Sequence, residues 1–159
     1  MKTLPKRHGR AVVELHDDRV VKTFADASYA EREWRWYARF PWATPRMVSR
    51  DGATVIVERL PLASELPDWR PVDQMKALLE RLHASHVHHR DVHAKNVVRM
   101  PDGSPRLIDW ETALIQRADY SYDIHGPDLS GVDKPAEHEG YSPQWWDAGT
   151  KFSLGRWWK

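Results

Sequence analysis

Two β-branched runs open the pattern, AVVEL (Ala11–Leu15) and RVVKTF (Arg19–Phe24), parted by His16-Asp17-Asp18. Two such runs with a short polar break between them predict an antiparallel hairpin. A second hairpin is expected from MVS (47–49) and TVIVERL (54–60), joined through Arg50-Asp51-Gly52-Ala53. Between the two lies DASYAEREWRWYARF (26–40), in which Tyr29, Trp36, Tyr37 and Phe40 recur at helical spacing. Asp26 or Ser28 would cap this helix and Pro41 would stop it. Residues 71–86 predict another helix, with Pro71 in its first turn and Val72, Met75, Leu79, Leu82 and His86 on one face. NVVRM (96–100) and RLI (106–108) predict a short hairpin around Pro101-Asp102-Gly103-Ser104-Pro105. A short helix is expected after Glu111. The tail from His125 is rich in Pro, Gly and Trp and lacks periodicity.

This order predicts an α+β fold: a small antiparallel sheet with one helix, then a mainly helical part that carries a short hairpin. A linker near 61–69 divides 1–60 from 61–159. Length changes little, since 159 residues suit one domain or two small lobes. Charge excludes more. Lys plus Arg number 24 and Asp plus Glu 23, so no global field argues for nucleic acid or an anionic membrane. Cysteine is absent, which removes disulfides and thiolate metal sites. No apolar run reaches spanning length and no leader pattern is visible, so a cytoplasmic protein is expected. Nine Trp are unusual, with Trp145-Trp146 and Trp157-Trp158 as adjacent pairs. Large rings of this kind seal a small core or form a partner surface, and the core is the expectation.

The candidate chemistry lies in HHRDVHAKNVV (88–98). Phosphoryl transfer asks for a carboxylate that orients a hydroxyl and for oxygen ligands that hold Mg²⁺. Asp91 and Asn96 supply such groups five residues apart. Asn96 begins one strand of the 96–108 hairpin and Asp109 directly follows the other, so antiparallel pairing brings them together. An amide oxygen beside a carboxylate suits a hard cation that keeps several waters. His83, His86, His88, His89 and His93 crowd the same region, but no HExxH pattern accompanies them and a zinc site is not expected. No GxSxG elbow is present.

HRDVHAKN (89–96) resembles the protein-kinase catalytic loop H-R-D-x-x-x-x-N. LIDWE (107–111) takes the place of that superfamily's D-F-G segment, in a form similar to aminoglycoside and choline kinase-like phosphotransferases. YSYDI (120–124) resembles a segment those enzymes place soon after. The resemblance, to a minimal bacterial or phage-type Ser/Thr kinase-like protein, spans Val12 to about Ile124. It implies Asp91 as catalytic base, Asn96 and Asp109 as metal ligands, Asp123 as a brace beneath the loop and His89 as structural. It also implies adenine contacts from backbone around Glu58–Leu60, assigning Glu58 and Leu60 to the nucleotide.

A kinase needs a cation on the phosphates, held by an acid on a neighbouring helix. Lys22 in VVKTF is that candidate; otherwise it is a charge guarding an edge strand. Glu31 and Glu33 compete as its partner. At about 100° per residue, Glu33 falls inside the apolar stripe and Glu31 nearly opposite. A buried acid wants a cation, so Glu33 is the expected partner.

The pattern also departs from the superfamily. No GxGxxG precedes the first hairpin; PKRHGR (5–10) offers one glycine, with Lys6, Arg7 and Arg10 as substitute charges or as a loose basic arm. His93 matches small-molecule phosphotransferases, whereas Arg90 matches protein kinases. Only 50 residues follow Asp109. The resulting expectation is a reduced bilobal protein-kinase-like fold with a shortened helical lobe. Its activity would be ATP- and Mg²⁺-dependent transfer of the γ-phosphate to a hydroxyl of a protein Ser/Thr or a small molecule. No nucleic-acid partner is expected. The alternative is a pseudokinase-like binding module.

Overall fold

Valine-rich runs build a five-stranded antiparallel sheet in the computed structural model, which describes residues 2–4, 11–89, 92, 94–111 and 113–115. Strands β2 (Ala11–Leu15) and β3 (Arg19–Phe24) pair with Val13 opposite Lys22. β3 then pairs with β5 (Thr54–Glu58), placing Val55 on the other side of Lys22. β4 (Met47–Asp51) closes one edge, with a register shift between Met47 and Ser49. The β4–β5 turn holds Gly52 at φ 55°, a left-handed position that glycine takes without a Cβ clash. The opposite edge is β1 (Lys2–Leu4), giving the order β1-β2-β3-β5-β4. The stretch 5–10, read as substitute charges or as a loose basic arm, follows this edge strand in the chain. Residues 5–10 lie outside the described residues.

Helix α1 (Ala27–Arg39) is capped by Asp26 rather than Ser28, because the Asp26 carboxylate accepts the Ser28 backbone N–H at 2.7 Å. It stops at Phe40, before Pro41. Its buried face is Ala30, Glu33, Trp36 and Tyr37. Tyr29, expected on that stripe, is 39% exposed at the rim, and Ala30 points inward in its place. Helix α2 (Val72–Ala84) buries Met75, Leu78, Leu79 and Leu82. His86 was expected to extend its apolar face; instead the helix has ended, and His86 turns outward at φ 59°.

Strands β6 (Val87–His88), β7 (Val97–Arg99), β8 (Pro105–Leu107) and β9 (Leu114–Ile115) form two small ribbons, β7 with β8 and β6 with β9. β9 corrects the helix expected after Glu111: Leu114 pairs with His88 and Ile115 with Val87. The 61–69 linker is packed rather than loose. Leu62 bridges Val98, a single 3₁₀ turn follows at Ala63–Glu65, and Pro61 O accepts Arg99 N–H at 2.9 Å.

One apolar cluster joins α1, α2 and the hairpin, through Trp36, Phe40, Met75, Leu79, Leu107 and Trp110. Trp110 is fully buried and packs against both Trp36 (5.8 Å between centroids) and Phe40 (6.2 Å), which stack on each other at 6.1 Å. A smaller cluster of Phe24, Ala30 and Val55 seals α1 onto the sheet. No helix among the described residues is long and apolar enough to cross a membrane.

Candidate functional site

Lys22 stands at the middle of β3, flanked by two strands and facing α1. Its Nζ lies 2.7 Å from Glu33 Oε1. Lys22 keeps 16% of its side-chain surface and Glu33 only 5%, so this is a buried ion pair and not a surface one. Glu31, the rejected candidate, pairs with Arg35 at 2.7 Å on the exposed side of the helix. The second carboxylate oxygen of Glu33 is buried and has no hydrogen-bond partner among the described residues.

The β7–β8 hairpin sets the other half. Val97 pairs with Leu107, and Ile108 N–H donates to Asn96 O at 2.9 Å. Asn96 therefore sits opposite Ile108, one residue before Asp109. Asn96 is 5% exposed, while Asp109 is partly open. Asp109 adopts φ 62°, a left-handed conformation that a non-glycine residue holds at some cost. Its neighbours impose that turn. Ile108 O accepts His89 Nε2 at 2.8 Å, and Trp110 Nε1 donates to Leu107 O at 2.9 Å. His89 in turn meets Trp110 edge-on at 4.9 Å. The Asp109 carboxylate is thus presented from a backbone fixed on both sides.

Electrostatics join the two halves. Burial pulls the Lys22 ammonium down, but the Glu33, Asp109 and Glu111 carboxylates together raise it above its ordinary value. Burial pushes the Tyr37 phenol well above its ordinary value, and Glu33 and Asp109 add to that rise. Lys22, Glu33 and Asp109 therefore share one field, although 87 residues separate Lys22 from Asp109 in the chain (109 minus 22). Tyr37 and Glu111 also belong to this field, although the sequence marked Tyr37 only as an apolar-stripe residue and Glu111 only as the end of LIDWE. Arg32, also unmarked in the sequence, reaches from α1 to Ala113 O at 2.9 Å.

The sign of the Lys22 shift makes a test. A raised ammonium stabilises the fold below its unfolded value of 10.5, and that contribution is lost as pH rises through the higher folded value. Glu33→Gln removes the largest cause that opposes burial. Lys22 is then expected to titrate lower than in the wild type, read from its ¹³Cε shift by NMR. An unchanged midpoint would rule out Glu33 as the group that holds the charge.

Other expected residues are placed less tightly. The Glu58 carboxylate accepts Arg46 N–H at 2.7 Å, so it serves the β4–β5 edge. The backbone N–H groups of Glu58 and Arg59 are given to Arg46 O and Asp18 O, both at 3.0 Å. The N–H and C=O of Leu60 have no partner among the described residues. Asp91 and Asp123 lie outside the described residues, as do Arg90 and His93. Of the described residues adjoining them, His89, Val92 and Ala94 are buried.

Asn96 and Asp109 offer hard oxygen donors of the kind Mg²⁺ takes. No group of three or more His, Cys, Asp or Glu among the described residues forms a metal cage. Two donors fit a cation that keeps waters and binds phosphate oxygens better than a structural metal.

No protein-family model and no curated protein matches the chain. Solved structures do. A 2.2 Å crystal structure of WbdD superposes with a TM-score of 0.50 at 16% identity, covering 74% of this chain and 33% of that one. A co-crystal of WbdD with the kinase inhibitor LY294002 gives 0.51 at 17% identity, covering 69% of this chain and 32% of that one. A further structure, described as the bifunctional kinase-methyltransferase WbdD, gives 0.50 at 17% identity over 68% and 31%. The fold is kinase-like. The chain spans about a third of the length of these proteins, and at such identity the likeness concerns the fold alone. Lys22 and Glu33 stand on the sheet and on α1, and Asn96 and Asp109 flank the β7–β8 hairpin.

Proposed function

We propose that the chain is a minimal ATP phosphotransferase, moving the γ-phosphate to a hydroxyl of a protein Ser/Thr or a small molecule. The observation that carries this reading is the shared field of the Lys22–Glu33 pair and Asp109, with Asp109 held at φ 62° beside Asn96. In this reading residues 1–60 hold the nucleotide and 61–159 carry the catalytic loop. The free backbone edge of Leu60 meets adenine and Lys22 meets the phosphates. Asp91 orients the acceptor and takes its proton as the hydroxyl oxygen bonds to the γ-phosphorus and the bond to ADP breaks. Asn96 and Asp109 would hold Mg²⁺, which supplies charge neutralisation on the phosphates when bound.

A second reading, a pseudokinase-like binding module, is favoured by the absence of a GxGxxG stretch ahead of β2. One measurement separates the two at their root. Calorimetric titration with ATP is expected to show Mg²⁺-dependent binding in the wild type and at least about tenfold weaker binding in Asp109→Ala, the loss of one charge-assisted contact. Wild-type protein that binds no ATP with or without Mg²⁺ sinks the enzyme reading.

A further inference from the structure

A cavity of about 430 Å³ opens at the far end of the β7–β8 hairpin, between the turn residues 99–103, Trp69 and the Leu60-Pro61 linker. Its walls are fixed. Met100 N–H donates to Ser104 O at 2.8 Å, Gly103 N–H to Met100 O at 2.9 Å and Trp69 Nε1 to Gly103 O at 3.3 Å. Arg99 N–H ties the turn to Pro61 O. Such a cavity exists before any ligand arrives, and its size lies within the range of small-molecule sites, about 300–1,000 Å³.

The lining is mainly apolar, from Leu60, Pro61, Trp69, Met100 and Pro101, with two charges. They differ in their commitments. Asp102 accepts Ser104 N–H at 2.9 Å and the Ser104 hydroxyl at 2.6 Å. The Arg99 guanidinium has no hydrogen-bond or ion-pair partner among the described residues. A guanidinium matches the two oxygens of a carboxylate. The nearby Asp102 carboxylate disfavours a dianion such as a phosphate monoester.

We propose that this cavity is a binding site for a small monocarboxylate with an apolar body, its carboxylate on Arg99 and its body against Trp69 and Met100. The ligand is not the phosphate acceptor. Met100 lies four residues beyond Asn96, roughly 13 Å of extended chain from the metal-binding end of the hairpin. Arg99, Trp69 and Met100, which carry the proposed contacts, hold no role in phosphate transfer, and the cavity shares only the Leu60 wall with the proposed adenine site.

4-Phenylbutyrate is a suitable probe, titrated into the full chain while the Trp69 indole N–H is followed by ¹⁵N–¹H NMR, with Trp69→Phe assigning the signal. Saturable movement of that signal is expected. The uncharged 4-phenylbutyramide should bind at least about tenfold more weakly, because it forfeits the charge-assisted contact. Arg99→Ala should cause a similar loss and Arg99→Lys a smaller one, since lysine keeps the charge but not the fork. The amide comparison uses wild-type protein and needs no variant to fold. Equal affinity for acid and amide, an unmoved Trp69 signal, or unaltered binding in Arg99→Ala would each overturn the proposal.

Discussion

Lys22→Met is expected to lower phosphate transfer by about two to three orders of magnitude, the scale of losing one preorganised charge at a reacting centre. It is also expected to cost ~3–5 kcal/mol of stability, because Glu33 is left buried and unpaired. The two losses have different origins and can be separated. Glu33 is 5% exposed and its Oε2 has no partner among the described residues, so removal of Nζ strips the one polar contact those residues give its side chain. Replacing both members with apolar side chains of similar volume removes the orphan charge, and such swaps are often neutral. Lys22→Met combined with Glu33→Leu should therefore regain most of the stability in a urea melt. Transfer should stay lost, because the phosphates have no cation. If the double variant recovers transfer along with stability, Lys22 only supports the fold.

The pairing of Lys22 with Glu33 was legible because a helix has a period. The choice between Glu31 and Glu33 needed only the angle between each acid and the Trp36–Tyr37–Phe40 stripe, and a buried acid has few ways to be satisfied. The β7–β8 hairpin was legible through its Pro-Asp-Gly-Ser-Pro turn, and its register then placed Asn96 next to Asp109. The β6–β9 pair was not legible. Two-residue strands carry no alternation, and the partners Val87 and Ile115 are 28 residues apart (115 minus 87). Arg32 on Ala113 O was hidden for a related reason: a contact to a backbone carbonyl leaves no side-chain signal at the acceptor. Tyr37 was seen as an apolar stripe residue, which it is. Its exposure to the field of Glu33 and Asp109 depends on how α1 sits over the hairpin, and composition holds no trace of that. The abundance of tryptophan pointed to a sealed core without saying which ring lies at its centre.

That ring is Trp110, and Trp110→Ala is expected to destabilise the chain by ~3–5 kcal/mol, the usual range for a deleted core aromatic. The side chain has no exposure, and it stacks on Trp36 and Phe40 and receives the edge of His89. Its removal would open a hole where α1, the hairpin and His89 meet, and those groups cannot all move to fill it. Against a typical total of about 5–15 kcal/mol, that is a large share. Trp110→Phe separates the ring from its hydrogen bond. Phenylalanine keeps most of the stacking but leaves Leu107 O without its 2.9 Å donor, a loss of about 1–3 kcal/mol for a buried carbonyl. The order wild type, Phe, Ala is expected in urea midpoints. The same order should appear in Mg²⁺-dependent ATP affinity at temperatures where every variant is folded, because Trp110 holds the residue next to it, Asp109, in its left-handed turn. Alanine and phenylalanine variants of equal stability would place the effect in the hydrogen bond and remove the stack as the anchor. ATP affinity unchanged in a folded Trp110→Ala would show that Asp109 keeps its geometry without the ring, and that the strain at φ 62° is set by the hairpin alone.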